Sequence, residues 1–269
     1  MLRGSGCAVL PAPPWTWRRS SCRSREASGR TPMRNVLLLA WKETRSYYGS
    51  PMAYVVSAAF LALTGQFYVS GVSELLPEAS LRAVFTPMMF ALILWAPIAS
   101  MRLLAEEQKL GTLELLLTAP LRDWEIVTGK FCALVAMLLG IIVPTLVYVV
   151  LLYWYASPDG GPLLTGYLGL LLYGSAAASL GLFTSSLTGN QIVAGVTAAV
   201  ALLFLTLASE ASGLVSGLPS ALLAGVSLPA HYTAFVAGVI ELRNVVYFIT
   251  FIVLFLFLTT LSLESRRWR

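Results

Sequence analysis

EEQKLGTLELLLTAPLRDWEIVTGK, residues Glu106 to Lys130, is a charged, amphipathic segment set between two apolar runs, each long enough to cross a bilayer. A segment of this kind between membrane spans is offered to the aqueous phase and to whatever binds there. Glu106, Glu107 and Lys109 close the preceding run with charge, and Gly111 allows a sharp change of direction. Thr112 is placed to cap a short helix through Leu117, which Pro120 ends. In that helix Leu113, Leu116 and Leu117 share one side and Glu114 lies on another, so it suits a membrane surface with charge turned to a cytosolic protein. Arg122, Asp123 and Glu125 add polar groups before Gly129 and Lys130 lead into the next apolar run. On composition alone a solvated loop is an equally good reading.

The flanking sequence sets the fold class. Of the 269 residues, 57% are hydrophobic and only 12% charged, and the mean hydropathy is +0.77, far from an ordinary soluble domain. A spanning helix needs roughly 20 mostly apolar residues. Six stretches qualify: Met52 to Val72, Val84 to Leu104, Ile126 to Tyr155, Leu163 to Leu187, Ile192 to Ser209 and Val245 to Leu263. An all-α, polytopic membrane protein with six transmembrane helices is therefore expected. The third run exceeds one crossing, so its start is expected at the interface and Pro144 is expected to bend the remainder.

Charge placement gives the orientation, because Lys and Arg resist translocation. From Met33 onward one set of faces carries Arg34, Lys42, Arg45, Arg102, Lys109, Arg122, Lys130, Arg266, Arg267 and Arg269, and the other carries Arg82 and Arg243. Both ends and the Glu106 to Lys130 segment are thus expected on the cytoplasmic side. Before the first span, Asn35 to Tyr48 mixes Leu37, Leu38 and Trp41 with Lys42 and Arg45, the pattern of an amphipathic interfacial helix ending at Gly49, Ser50 and Pro51.

The net charge of +5 does not indicate nucleic acid. Residues 1–32 hold six Arg against Glu26, and the remainder balances to zero. These residues are expected to be a disordered basic extension, or to precede the working start at Met33. Cys7, Cys22 and Cys132 form no disulfide or metal pattern, and Cys132 is expected to pack inside its span. Ionisable residues are nearly absent from the spans, which disfavours a proton-driven carrier and an intramembrane protease. The stretch GSAAASLG, Gly174 to Gly181, suits close helix approach, either within one bundle or at a subunit seam.

The run E-E-x-x-x-G-T-L-E-L-L-L-x-x-P-x-x-x-W-E-I-x-x-G-K resembles the segment after the second span in ABC-2 type permeases, the membrane subunits of ATP-binding cassette exporters. More narrowly it is similar to the branch of gliding-motility and nitrous-oxide-reductase-maturation permeases. YGSPMAY (Tyr48 to Tyr54), FVAGVIELRNVVYF (Phe235 to Phe248) and LESRRW (Leu263 to Trp268) agree with that branch, so the resemblance covers essentially residues 33–269. It implies a permease domain over 33–269, with a coupling segment at 105–130 that docks on a cytoplasmic ABC ATPase. Glu106, Glu107, Gly111, Thr112, Glu114 and Pro120 would then transmit nucleotide-driven motion. It also implies a second permease copy or a related permease subunit, a bacterial-type cytoplasmic membrane with its lipids as surroundings, no nucleic acid, and ATP bound by the partner. The chain contains no G-x-x-x-x-G-K-[ST] loop of its own. A non-transporting scaffold or mechanical-work subunit of an envelope complex is the alternative.

Residues 210–244 fall on the outer face, yet Leu222, Leu223, Val226, Phe235, Val236, Val239 and Ile240 are too apolar for a solvated loop. Gly213, Gly217, Pro219, Gly225 and Pro229 break the stretch into pieces too short to span, so a re-entrant helical segment is expected, with degenerate seventh and eighth spans as the alternative. By the resemblance this region is an outer gate, with His231, Tyr232 and Glu241 as candidates. His231, the lone histidine, is otherwise expected to be an interfacial polar residue.

Overall fold

Every stretch of backbone inside a bilayer must satisfy its own hydrogen bonds, and for this composition helices are the only means of doing so. A computed structural model describes residues 32–74, 82–112, 122–155, 160–214, 223 and 225–267. Among them the regular structure is helical throughout. In chain order the helices are α1 (Pro32–Tyr48), α2 (Pro51–Glu74), α3 (Arg82–Ser100), α4 (Ala105–Lys109) and α5 (Asp123–Tyr155). They continue with α6 (Gly160–Leu187), α7 (Gln191–Leu214), α8 (Leu228–Val236) and α9 (Leu242–Arg267).

Six of these are long and apolar enough to cross a membrane: Pro51–Ser70, Val84–Lys109, Asp123–Trp154, Gly160–Leu187, Gln191–Ala208 and Leu242–Ser265. They coincide with the six apolar runs. Pro144 lies within α5, which stays helical from Asp123 to Tyr155, so the helix is not interrupted there. Residues 1–31, most of the basic extension, and Leu113 to Leu121, the expected coupling helix with Glu114 and Pro120, lie outside the described residues.

The small side chains of α6 fix the packing. This helix is buried along most of its length and touches α3, α5, α7, α8 and α9. A Cβ on Gly166 would meet the Phe85 ring at 2.4 Å, on Gly169 it would meet Phe235 Cβ at 2.6 Å, on Gly174 a Leu138 methyl at 2.7 Å, and on Gly181 Ser100 Oγ at 2.1 Å. The Gly174 to Gly181 stretch therefore packs within the single chain, one of its two expected uses. Thr165 Oγ1 donates to the Phe235 carbonyl at 2.8 Å, and Tyr232 Oη donates to the Phe85 carbonyl at 3.3 Å, tying α8 to α6 and α3. Trp95, Phe85, Tyr173, Phe235 and Phe248 fill the space between these helices.

Elsewhere the spans turn large apolar side chains outward, as at Val143, Val147, Val150 and Trp154 of α5 and Val196, Val200 and Phe204 of α7. Such a surface is normal only against lipid or another membrane subunit. Cys132 lies on that exposed side, which corrects the expectation that it packs inside. Its position on α5 is rotated away from Ala133, Leu134 and Met137, which face the core.

The tightness of the α6 seam is directly testable. In Gly169→Ala the new carbon would sit against Phe235 Cβ, which is anchored to backbone and cannot swing away. The expected cost is about 1–3 kcal/mol. Gly161→Ala on the same helix meets nothing within 4 Å and is expected to stay within about 0.5 kcal/mol. Equal thermal unfolding of the two variants in one detergent would show that the seam has slack.

Candidate functional site

The charged segment begins at an elbow. After Ser100 the chain makes a short turn and enters α4, whose first N–H groups need partners from outside the helix. Ser185 of α6 supplies one: its Oγ accepts from Leu104 N at 3.2 Å and Ala105 N at 3.1 Å. Gln108 Nε2 donates to the Ser186 carbonyl at 3.0 Å, so α4 is fastened to the end of α6 at both of its own ends. Gly111 then takes φ +70°, the left-handed region where a side chain would be strained. Thr112 Oγ1 turns back toward the Glu107 carbonyl at 3.4 Å.

Lys130 closes the elbow from the other side. It lies in the second turn of α5, its side chain is fully buried, and its ammonium has three partners. Nζ donates to Glu107 Oε1 of α4 at 2.7 Å, to the Leu103 carbonyl at 2.9 Å and to Glu43 Oε1 of α1 at 3.4 Å. Three N–H donors meet three acceptors on three elements, so the buried charge is matched. One side chain thereby joins α1, the elbow and the third span.

A second junction holds α1 on α5. Glu125 is buried, and its Oε2 accepts from Arg122 N at 3.3 Å, the N3-to-N-cap half of a capping box at the start of α5. The same oxygen accepts from Asn35 Nδ2 of α1 at 3.4 Å. Below it Leu39 packs where a Cβ on Gly129 would be only 2.9 Å from its methyl, so α1 lies tightly along α5. Tyr47 Oη donates to the Ala99 carbonyl and pins the end of α1 to α3. Burial of the phenol, with Glu43 beside it, pushes Tyr47 well above the ordinary phenol range, so it remains a donor. The opposite side of α1 leaves Met33, Leu37, Leu38 and Trp41 exposed.

The outer candidates separate. His231 is largely buried within the chain: its ring stacks on Tyr247 at 3.8 Å between centroids, and Nδ1 lies 2.9 Å from the Ser227 carbonyl. It shares an open cleft with Glu241, which accepts from Asn244 Nδ2 at 3.1 Å at the start of α9. Tyr232 points the other way, into the core beside Tyr173. The nine-residue α8 is too short to span, and among the described residues no seventh span occurs.

Of the expected coupling residues, Glu106, Glu107, Gly111 and Thr112 sit together on the elbow and its exit. Glu125 and Lys130 fall inside the expected 105–130 segment but were not among its expected coupling residues, and Glu43 lies outside it altogether. A lysine at the head of an apolar run ordinarily snorkels to water. Only the fold brings Glu43 and Glu107 to it.

The profile of the family described as "ABC-2 type transporter" matches residues 34–234, which takes in all but the first two residues of α1, the elbow, Lys130 and the whole of α6. A shorter stretch of 87 residues is 34% identical to the probable multidrug ABC transporter permease YbhR of Escherichia coli (strain K12). The same identity is found with the protein of that name from Escherichia coli O157:H7. The aligned stretch covers 32% of this chain and 23% of each relative, so the chain matches under a quarter of their length. With three quarters of its length matched by the family and six helices fit to cross a membrane, the chain belongs to the ABC-2 type transporter family and is a multi-pass membrane protein.

Proposed function

We propose that this chain is the permease subunit of an ATP-binding cassette exporter, in which the elbow and the segment after Gly111 receive motion from a separate ATPase. The observation that carries this reading is the Lys130 cluster. It ties Glu107, a few residues before the exposed segment, to the third span and to α1 through contacts of 2.7–3.4 Å. A push on the segment would therefore be passed to two other helices at once, through the buried Lys130 side chain and the two carboxylates that hold it. Rigid-body rocking of the spans about the α6 seam would follow.

Both chain ends and the elbow belong on the cytoplasmic side in this reading, supported by the Lys and Arg asymmetry of the loops. Helix α1 would lie in the inner interface, its exposed Leu37, Leu38 and Trp41 toward lipid and its Arg34, Lys42 and Arg45 toward headgroups. A second permease copy or a related subunit would complete the pathway, and lipid would cover the remaining outward apolar side chains. Within the family, the YGSPMAY, FVAGVIELRNVVYF and LESRRW stretches support a place beside the gliding-motility and nitrous-oxide-reductase-maturation permeases. The cleft holding His231 and Glu241 is the candidate outer gate, and Tyr232 would act there through its anchor on Phe85. A cytoplasmic membrane of bacterial type is the expected setting.

Affinity purification of the full chain in a mild detergent from its own host is expected to bring down a near-stoichiometric protein bearing a phosphate-binding loop. Glu114→Lys should abolish that association. Absence of such a partner under several gentle detergents would remove the permease reading.

The cluster itself has a separate signature. Lys130→Met strands the Glu43 and Glu107 carboxylates beside a buried apolar group and is expected to cost about 3–5 kcal/mol of stability. Adding Glu43→Gln and Glu107→Gln removes the stranded charges and should restore most of it. In the complex, however, the triple variant should leave the ATPase rate close to that of the partner alone, whereas the unchanged chain alters it. A triple variant that couples normally would show that the cluster only holds the fold.

A further inference from the structure

Beneath α1, at the level of the elbow, lies a cavity of about 330 Å³ between α1, α2, α3 and α4. Its charged lining is not balanced within the described residues. Lys130 engages Glu43 and one oxygen of Glu107, and these are the ion pairs found there. Arg102, which also lines the cavity, has a solvent-shielded Nε with no hydrogen-bond partner. Oε2 of Glu107 is likewise shielded and unpartnered. Glu106 lines the same space and has no ion pair among the described residues.

An unmet cationic donor and unmet carboxylate oxygens in one cavity select their occupant by chemistry. A simple cation would satisfy the carboxylates and leave Arg102 stranded. A simple anion would satisfy Arg102 and face Glu43, Glu106 and Glu107. A molecule with a phosphate next to an ammonium meets both demands, since guanidinium suits phosphate oxygens and carboxylates accept from an ammonium. Ser46 and Ser50 add neutral polar groups to the wall, and Met52, Val56 and Ile98 give it an apolar part placed for hydrocarbon.

We propose that this cavity binds the headgroup of a zwitterionic phospholipid of the phosphatidylethanolamine type. Its phosphate lies on Arg102, its ammonium lies on Glu106 and the free oxygen of Glu107, and an acyl chain runs along Met52 and Val56. The inference rests on the proposed placement of α1 and the elbow at the inner membrane interface. Occupancy would wedge the lipid between α1 and α3 beside the Lys130 cluster, so the elbow would be sensed by the inner leaflet as well as by the ATPase.

The test is native mass spectrometry of the full chain in detergent micelles, with phosphatidylethanolamine or phosphatidylglycerol added at equal amounts. Phosphatidylethanolamine should be retained preferentially. R102Q should weaken its retention about tenfold, the scale of one charge-assisted hydrogen bond. E106Q, which removes a charge facing the ammonium, should narrow the preference over phosphatidylglycerol, and it serves where R102Q fails to fold. Soluble phosphoethanolamine at matching concentration should not displace the lipid, because it lacks the chain contacts; displacement would overturn the lipid assignment. Equal retention of the two lipids, or retention unaffected by both substitutions, would mean that lipid is held without recognition by this cavity and would overturn the proposal. No ATPase is needed in this measurement, so its failure is distinct from failure of the co-purification that tests the permease reading.

Discussion

The close approach of helices to α6 is the constraint on which the other contacts depend. In lipid there is little hydrophobic drive for one apolar helix to leave hydrocarbon for another, so packing contacts and a few hydrogen bonds must hold the bundle. The bare glycines of α6 let Phe85, Phe235, Leu138 and Ser100 come to distances that a Cβ would forbid. Because α3, α5, α7, α8 and α9 all meet this one helix, its end is also the fixed point for the elbow. Ser185 and Ser186, in the last turn of α6, bind Leu104, Ala105 and Gln108. The seam therefore does more than hold the spans together. It gives the elbow a rigid base.

From that base the elbow has two further attachments of a different kind. The contacts of α6 to α4 are made by neutral groups, whereas those of α5 and α1 run through one buried ammonium. A neutral contact of this type contributes about 1 kcal/mol. Loss of one partner from a buried charged set costs several times that. The charged junction is thus the one that tolerates loss of a partner least, and it joins the elbow to the third span. Helix α1 belongs to the same packed body, since Asn35, Leu39 and Tyr47 fasten it to α5 and α3 along its length.

The spans were legible in the sequence because hydrophobic length is a local property, and all six runs reappear within a few residues of their expected ends. The interfacial pattern of Asn35 to Tyr48 was legible as a helix for the same reason, and Gly111 as a turn because only glycine takes φ +70° without strain. What was hidden depends on contact. Lys130 reads as a snorkelling end residue until Glu43, 87 residues away, is folded onto it. The stacking of Tyr247 on His231 depends on contact in the same way, and Cys132 reads as core because hydropathy is blind to which side of a span faces lipid. The GSAAASLG stretch announced close packing but not its partners, since a seam within a chain and a seam between chains place the same demand on side-chain size.

A buried ion set at the elbow raises the question of why apolar residues do not occupy these positions. Apolar side chains of similar volume would hold the junction at least as firmly, because desolvating charge offsets most of its attraction. They would also hold it in many slightly different registers. An ammonium with three defined acceptors accepts few arrangements, and any intermediate displacement strands a charge at considerable cost. A junction of this kind favours a few discrete positions over a continuum, which is the property the proposed relay would need if a remote event is to be read as one of two states. Glu107 is the natural place for the change, since one of its oxygens is bound to Lys130 and the other faces the cavity unpaired. Because the two oxygens are equivalent, exchanging them only restores the same contact; withdrawal of the whole carboxylate from Lys130 is what would release this junction.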